Sequence, residues 1–153
     1  MAVRSDADTS VFGGVFDEEF AEPSKEFFRE VRENRFILVT SAVVQAELEP
    51  APREVRDLFE EILGIAQVTE VTAEALTLRD AYLEAGVVPA KYTDDALHVA
   101  LASISGCHVI VSWNFRHIVH FEKIPRYNAV NVLHGYAALG IYSPAEVIRY
   151  EEQ

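Results

Sequence analysis

Apolar residues occur along the chain both in short continuous runs and at helix spacing. The run Arg35–Thr40 is apolar apart from its ends, which is typical of a strand buried on both faces of a sheet. Cys107–Ser112 is the clearest second strand. Between residues 55 and 62, apolar side chains recur at the i, i+3, i+4 and i+7 positions, which predicts an amphipathic helix.

Turn and capping residues predict the remaining elements. Pro23 can occupy the first turn of a helix, Ser41 can cap a short helix through Glu47, and Thr93 can cap a helix to about residue 105. Strands that alternate with helices favour a parallel sheet with helices on both faces. The predicted strands are 3–8 (weak), 35–40, 67–71, 107–112 and 129–132, and the other predicted helices are 73–85 and one beginning at the capping box of residues 143–146.

Four polar residues stand at the ends of these elements or on helices that follow them. Asp8 and Asn114 follow predicted strands at their carboxyl ends, where the ligand crevice of an open parallel sheet lies. Asp95 lies in the first turn of its helix, and Glu47 lies on the helix that follows the next strand. Carboxylates gathered at one edge repel one another unless a hard cation such as Mg²⁺ or Mn²⁺ neutralises them. The pattern therefore indicates metal-assisted hydrolysis of a phosphodiester.

Each of these residues also has a simpler interpretation. Asp95 and its neighbour Asp94 are favoured in a first helical turn by the helix dipole, and Asp94 is best interpreted as a flanking acid. Glu47 on a short helix can be merely solvated, and Asn114 can be a turn residue at a strand end.

Side chains near these acids are candidates for binding substrate. Ser10 can hydrogen-bond a ligand carboxylate or a substrate phosphate, or cap the backbone locally. His117 and Arg116 follow Asn114 and can contact RNA, although a solvated arginine is the commoner case. His98 is predicted to be a satisfied core histidine one turn after Asp95. Trp113 is predicted to pack in the core rather than to stack on a base.

Composition limits the mode of nucleic-acid binding. The 153 residues suit one domain, and 13 Lys and Arg stand against 25 Asp and Glu, which gives a net charge of −12. Such a chain lacks the globally positive surface that phosphate binding usually uses. An acidic nuclease therefore needs a metal to supply positive charge locally, and the acidity also favours a basic protein partner.

Three further features bear on location. The longest apolar run is too short to cross a bilayer, so no membrane association is expected. The N-terminal residues lack the apolar segment of a secretory signal. Cys107 is the single cysteine, so no internal disulfide can form, and we expect a cytoplasmic protein.

Taken in order, the motifs resemble those of PIN-domain proteins. The segments that carry the resemblance are Asp8-Thr9-Ser10-Val11, Glu47-Leu48, Asp95-Ala96-Leu97-His98-Val99-Ala100-Leu101-Ala102 and Val111-Ser112-Trp113-Asn114-Phe115. More narrowly, Trp113-Asn114-Phe115-Arg116-His117 and Ser143-Pro144-Ala145-Glu146 resemble the VapC-like branch, the toxin component of type II toxin–antitoxin pairs.

The resemblance implies one PIN-like domain over residues 1–153, built as a three-layer α/β/α sandwich around a parallel sheet of about five strands. It implies a Mg²⁺- or Mn²⁺-dependent endoribonuclease in which Asp8, Glu47 and Asp95 match the acidic metal ligands. Asn114 matches a fourth catalytic position that is often aspartate in the family. The implied partners are an RNA substrate, a cognate antitoxin and a second copy of the chain.

A non-catalytic PIN-like module that binds RNA or protein is the alternative. Asn114 supplies no charge at the fourth position, and the net charge of −12 opposes phosphate binding. Metal binding followed by RNA cleavage separates the two hypotheses.

Overall fold

The fold is a five-stranded parallel sheet flanked by helices, seen in a computed structural model that describes residues 1–150. The strands are β1 (Val3–Ala7), β2 (Phe36–Ser41), β3 (Gln67–Thr69), β4 (Val109–Val111) and β5 (Gly140–Tyr142). The helices are α1 (Thr9–Gly14), α2 (Ala21–Arg32), α3 (Ala42–Leu48), α4 (Arg53–Leu63), α5 (Ala73–Glu84), α6 (Thr93–Ile104), α7 (Ile124–Leu133) and α8 (Pro144–Val147), with a 3₁₀ turn at Ala90–Tyr92 before α6. The predicted α/β sandwich is confirmed.

The strand order β3-β2-β1-β4-β5 places β1 at the centre of the sheet. The chain moves from β1 to β2 and β3 on one side, and then crosses to β4 and β5 on the other. The direction of winding therefore changes between β1 and β4, and a ligand crevice is expected outside the carboxyl ends of these two strands. Asp8 directly follows β1, and Asn114 lies three residues after β4.

Alternate residues of the strands separate two apolar clusters. On β4, Val111 packs with α1, α2 and α4, whereas Ile110 packs with α5, α6 and α7. The first cluster is aromatic and includes Phe12, which lies 4.9 Å from Phe28 between ring centres. The second includes Tyr82, which is fully buried. Side chains that alternate between the faces of the sheet thus let helices cover both sides.

Most predicted elements form, with ends that shift by one or a few residues. The Ser41 hydroxyl caps α3 by accepting a hydrogen bond from the backbone of Val43, as predicted. Thr93 does not cap α6, because it is already the first helical residue and its hydroxyl donates to the carbonyl of Ala90. No helix within residues 1–150 combines the length and hydropathy that a membrane span requires.

The predicted strand at residues 129–132 is wrong, because this segment lies inside α7. Pro125 stands in the first turn of that helix, where its missing N–H is tolerated. Tyr127, Val130 and Asn131 are the buried residues of α7, at the i, i+3 and i+4 spacing of one helical face. The fifth strand is β5, which pairs with β4 over only three residues.

Candidate active site

Asp8 is the most firmly held carboxylate of the crevice. It is 4% exposed and stands at the junction of β1 and α1. Ser10 donates its hydroxyl hydrogen to Oδ1 at 2.6 Å, and Ser112 donates to Oδ2 at 2.8 Å. Each carboxylate oxygen keeps further acceptor capacity, because an ionised carboxylate has about four lone-pair directions. Asp8 is thus oriented by β4 and α1 and remains able to bind a cation.

Glu47 reaches the crevice from α3 and is held through one of its two oxygens. Its Oε1 lies 2.5 Å from Nε2 of His98 and accepts a hydrogen bond from the Thr9 hydroxyl at 2.6 Å. No group within residues 1–150 donates to Oε2. The geometry therefore leaves Oε2 free for a ligand.

Asp95 lies in the first turn of α6 and is linked to Asn114 after β4. Asn114 accepts a hydrogen bond from the backbone N–H of His117 at 2.9 Å through Oδ1. Burial raises the pKa of Asp95, and the nearby side chain of Asn114 opposes this effect, so that the net shift is upward. The predicted site residues Asp95 and Asn114 are therefore neighbours.

The charges of this cluster are coupled. Burial raises the pKa of Asp8, and the negative charge of Glu47 raises the pKa of both Asp8 and Asp95. Burial also raises the pKa of Glu47, but the hydrogen bonds and charge of His98, with the hydrogen bond of Thr9, bring the net shift downward. Glu47 is therefore the carboxylate most readily ionised in the absence of a metal.

His98 is buried and hydrogen-bonded, as predicted for a satisfied core histidine, and it is also the positive centre of the cluster. It is 3% exposed. Burial lowers its pKa, but the hydrogen bond to Glu47 and the charges of Asp8, Glu47 and Asp6 raise it to about 9. His98 therefore carries a proton at neutral pH and balances part of the acidic charge. Its position one turn after Asp95 was the signal in the sequence that pointed to it.

Asp6 is the acid that sequence reasoning left out of the site. It lies on β1, is 3% exposed, and its Oδ1 has no hydrogen-bond partner within residues 1–150. Burial raises its pKa to about 7, with an opposing effect of His98 and a reinforcing effect of Asp8. The polar residue inside the otherwise buried first strand was the available signal.

Ser112 is the other residue that sequence reasoning missed. Besides binding Asp8, its hydroxyl accepts the backbone N–H of Asn114 at 2.9 Å. One serine at the end of β4 therefore orients both a carboxylate and the turn that carries the fourth site residue. A hydroxyl residue at the end of a buried strand, directly before the candidate site, was the signal for it.

The donor chemistry fits a hard divalent cation, although the acids do not form a closed cage. No three His, Cys, Asp or Glu side chains in residues 1–150 are grouped tightly enough to hold a metal ion. Asp8, Glu47 and Asp95 nevertheless offer oxygen donors only, as Mg²⁺ and Mn²⁺ prefer. A cation would offset the repulsion by which Glu47 raises the pKa of Asp8 and Asp95. It could also bind the free Oε2 of Glu47.

A cationic rim lies on the side of the site where α6 begins. The Nζ of Lys91 is 5.1 Å from the centre of the Tyr92 ring, and Cζ of Arg116 is 5.7 Å from it. The His117 ring packs against the same tyrosine with 3.8 Å between ring centres. Residues 86–140 hold four Lys and Arg, three Asp and Glu and all five histidines, so the acidic surplus lies elsewhere in the sequence.

His117 is buried, and its ring nitrogens have no hydrogen-bond partner in the described part of the chain. Burial lowers its pKa, while the nearby Asp95 acts in the opposite direction. The predicted substrate contacts therefore differ in kind: Arg116 is exposed on the rim, Ser10 holds Asp8, and His117 lies beneath Tyr92.

Comparisons with known proteins follow the same lines. The model of the PIN domain family matches residues 7–118, which include Asp8, Glu47, Asp95 and Asn114. A comparison with curated proteins gives no match.

Three solved structures share the fold. VapBC2 from Rickettsia felis bound to a promoter DNA fragment has a TM-score of 0.59 at 14% identity, with 91% of this chain and 98% of that chain covered. FitAcB from Neisseria gonorrhoeae has 0.61 at 12%, with 94% and 99% covered. DNA-bound VapBC from Salmonella typhimurium has 0.59 at 18%, with 93% and 98% covered. At these identities the likeness establishes the fold alone.

Proposed function

Because the chain belongs to the PIN domain family, we propose that it is a Mg²⁺- or Mn²⁺-dependent endoribonuclease and the toxin of a type II toxin–antitoxin pair. The observation that carries the proposal is the electrostatic coupling of Asp8, Glu47 and Asp95 at the switch between β1 and β4. The charge of Glu47 raises the cost of ionising both Asp8 and Asp95, which a bound cation would offset.

The chain contributes ligands that are already oriented. Asp8, Asp95 and Oε2 of Glu47 would hold the cation, with Asn114 beside Asp95 as a neutral oxygen donor. When bound, a divalent cation polarises a phosphodiester and lowers the pKa of water. The hydroxyls of Ser10 and Ser112 fix the Asp8 carboxylate, so little reorganisation is needed when substrate arrives.

One charged side chain would hold the cation and another would contact substrate. Glu47 stays ionised beside His98 and would hold the cation through Oε2. Arg116 on the exposed rim can contact a phosphate of the RNA, whereas Ser10 is occupied by Asp8 and His117 is buried against Tyr92. The overall charge of −12 repels RNA, so we expect this local rim to guide it.

Calorimetric titration of Mn²⁺ tests the metal site without knowledge of the substrate. We expect saturable binding by the wild type and its loss in Asp95→Asn. Asp94→Asn is the matched control, because Asp94 is the exposed neighbour in the same helical turn and its replacement removes the same charge. Equal weakening by both substitutions would show that the loss of Mn²⁺ binding reflects overall charge and not a specific site at Asp95.

Cleavage of single-stranded RNA in Mn²⁺ then distinguishes the enzyme from the alternative module. We expect internal cuts by the wild type and none by Asp95→Asn. A wild type that binds RNA or a protein, yet neither binds Mn²⁺ nor cuts, would favour the non-catalytic PIN-like module.

The antitoxin is expected to be a basic protein that approaches the same crevice. A groove of about 130 Å³ between α3, the helix that carries Glu47, and α4 is lined by Gln45, Leu48, Phe59 and Leu63 among others. The solved neighbours named VapBC support a paired partner. We expect an Arg or Lys of the partner beside Asp8 and Asp95, and an unchanged affinity in Asp8→Ala would contradict this. A second copy of the chain, expected from the resemblance, is tested by the mass in solution.

A further inference from the structure

An aromatic cluster lies at the loop that follows β4 and is linked to the Asp8 carboxylate through Ser10. It consists of Phe20, Trp113 and Phe115. The rings of Phe20 and Trp113 stack with 4.2 Å between centres and 20° between planes. Phe115 stands edge-on to both, at 6.4 Å from Phe20 and 5.9 Å from Trp113.

Hydrogen bonds tie this aromatic cluster to the site. The indole Nε1 of Trp113 donates to the Ser24 hydroxyl at 2.8 Å, and its backbone N–H donates to the Ser10 hydroxyl at 2.8 Å. Ser10 is the residue that donates to Asp8. At Gly14 a Cβ would lie 2.7 Å from the indole nitrogen, so only glycine allows this close approach. The rings are therefore held in place relative to the Asp8 carboxylate.

Phe115 presents its ring to solvent although two aromatic neighbours support it. It is 48% exposed, while Trp113 packs against the first apolar cluster. Phe121, in the same loop, is 92% exposed and makes no aromatic pair. An exposed aromatic ring with fixed neighbours differs from one that is simply solvated, because its orientation is set before a ligand arrives.

We propose that Phe115, supported by Phe20 and Trp113, stacks on a nucleobase of single-stranded RNA beside the carboxylates Asp8 and Asp95. The nature of the ligand rests on the proposed function. Stacking on an aromatic ring needs no positive charge and accepts every base, which suits a protein with a net charge of −12. Arg116, the next residue, faces Tyr92 and offers a phosphate contact on the other side of Asn114.

An RNA strand also matches the surface better than a protein partner does. Its bases and phosphates alternate, as do the exposed ring of Phe115 and the guanidinium of Arg116. A protein partner would need an extended apolar patch here, and Trp113 is only partly exposed behind Phe115. Asn114 lies between Trp113 and Phe115 in the sequence, and its side chain is near Asp95. An RNA strand that follows this loop would therefore pass the carboxylates.

Trp113 is the only tryptophan, so its fluorescence reports on the cluster directly. The probe is a ten-nucleotide oligoadenylate, titrated in EDTA so that binding is observed without metal-dependent cleavage. A ribose-phosphate chain of the same length without bases is the comparison probe. We expect the oligoadenylate to quench the emission and bind at least ~10-fold more tightly than the chain without bases.

Substitutions separate stacking from charge. We expect Phe115→Ala to weaken oligoadenylate binding by ~10-fold or more, Phe115→Tyr to retain it, and Phe121→Ala, the matched exposed phenylalanine, to leave it unchanged. Phe115→Ala should leave the salt dependence of binding unaltered, whereas Arg116→Ala should reduce its slope by about one phosphate contact. Thermal unfolding of each variant verifies the fold, and Phe115→Leu serves if Phe115→Ala does not fold.

Failure of this inference is distinct from failure of the proposed function. Wild-type cleavage with Phe115→Ala binding RNA normally would overturn the base platform and leave the nuclease standing. Base-dependent quenching that is lost in Phe115→Ala, without cleavage by the wild type in Mn²⁺, would support the platform and reject the nuclease. Loss of binding to a protein partner but not to RNA in Phe115→Ala would overturn the platform in favour of a protein interface.

Discussion

Asp8 and Glu47 serve one crevice but are held in place in opposite ways. Asp8 stands at a strand end and is 4% exposed. Its two oxygens accept hydrogen bonds from the hydroxyls of Ser10, at the start of α1, and Ser112, directly after β4. Glu47 stands on a short helix, is half-buried, and depends on His98 and Thr9 through a single oxygen. The sheet itself orients the first acid, whereas side chains of other elements orient the second.

The two ways of holding a carboxylate have different consequences for its charge. A carboxylate fixed by the sheet is desolvated, and burial raises the pKa of Asp8. A carboxylate fixed by a protonated histidine keeps its charge, and the pKa of Glu47 lies below its usual value although burial acts the other way. We therefore expect Asp8 to contribute a fixed ligand position to the metal site and Glu47 to contribute negative charge.

Loss of Asp8 should have the largest effect on metal binding and cleavage. In Asp8→Asn the hydroxyl contacts can persist, but the charge is gone, so Mn²⁺ binding and RNA cleavage should both disappear. We expect cleavage to fall by roughly 1,000-fold or more, because a catalytic metal supplies several kcal/mol of transition-state stabilisation. Initial rates on single-stranded RNA measure this, with Asp94→Asn as the charge control. Retained cleavage in Asp8→Asn would remove Asp8 from the metal site.

Loss of His98 should affect Glu47 most directly, because His98 hydrogen-bonds that carboxylate and none of the other acids within residues 1–150. His98→Ala removes the partner at 2.5 Å from Glu47, and partners that orient metal-site ligands are worth roughly 10–100-fold in activity or affinity. We expect His98→Gln, which keeps a donor without the charge, to recover part of this loss. The check is cleavage rate against pH for the three proteins. Equal rates in all of them would show that Glu47 does not need the histidine.

Asn114→Asp should sharpen the comparison by adding an acid to the Asp95 side. The new carboxylate keeps the acceptor for the His117 backbone N–H and adds negative charge beside Asp95. We expect Mn²⁺ to bind about tenfold more tightly, since ligand charge tunes the affinity of oxygen sites. The metal-free protein should unfold at a lower temperature because like charges repel. Calorimetry and thermal unfolding measure the two effects, and weaker Mn²⁺ binding would place residue 114 outside the site.

The pH dependence of stability should show the smallest effect. The pKa of Asp6 is raised from 3.8 to about 7, so its stabilising contribution is complete below about pH 4 and is lost as pH rises through 7. The pKa of His98 is raised from 6.5 to about 9, so its contribution is lost as pH rises through 9. In EDTA the melting temperature should therefore fall by a few degrees, ~5 °C, between pH 5 and 9.

Asp6→Asn isolates the lower part of this pH range. We expect the substitution to flatten the fall in melting temperature between pH 5 and 7 and to leave the part near pH 9 intact, because His98 is unchanged. Calorimetric melting curves in EDTA across the range provide the check. A curve identical to that of the wild type would show that Asp6 is not the group that titrates there.

Much of the fold was predictable from local pattern. The buried run at β2, the cap at Ser41 and the i, i+3, i+4 spacing of α4 act within a few residues, so the sequence alone carries them. The segment 129–132 was misassigned because short valine-rich runs suit strands and helices alike, and only packing against α5 and the sheet decides. β5 was missed because three residues with a glycine are too few for a pattern.

The sequence by itself predicted Asp8, Glu47, Asp95 and Asn114 as one set, because these polar residues stand at element ends or on helices that follow strands. Only the tertiary structure decided their partners. His98 interacts electrostatically with several of the acids, Ser112 donates a hydrogen bond to Asp8, and Asp6 is buried near them. The physical reason is range. Propensity and capping act between neighbours in sequence, whereas pKa and hydrogen bonding here depend on groups about 50 to 100 residues apart that meet only when the sheet forms.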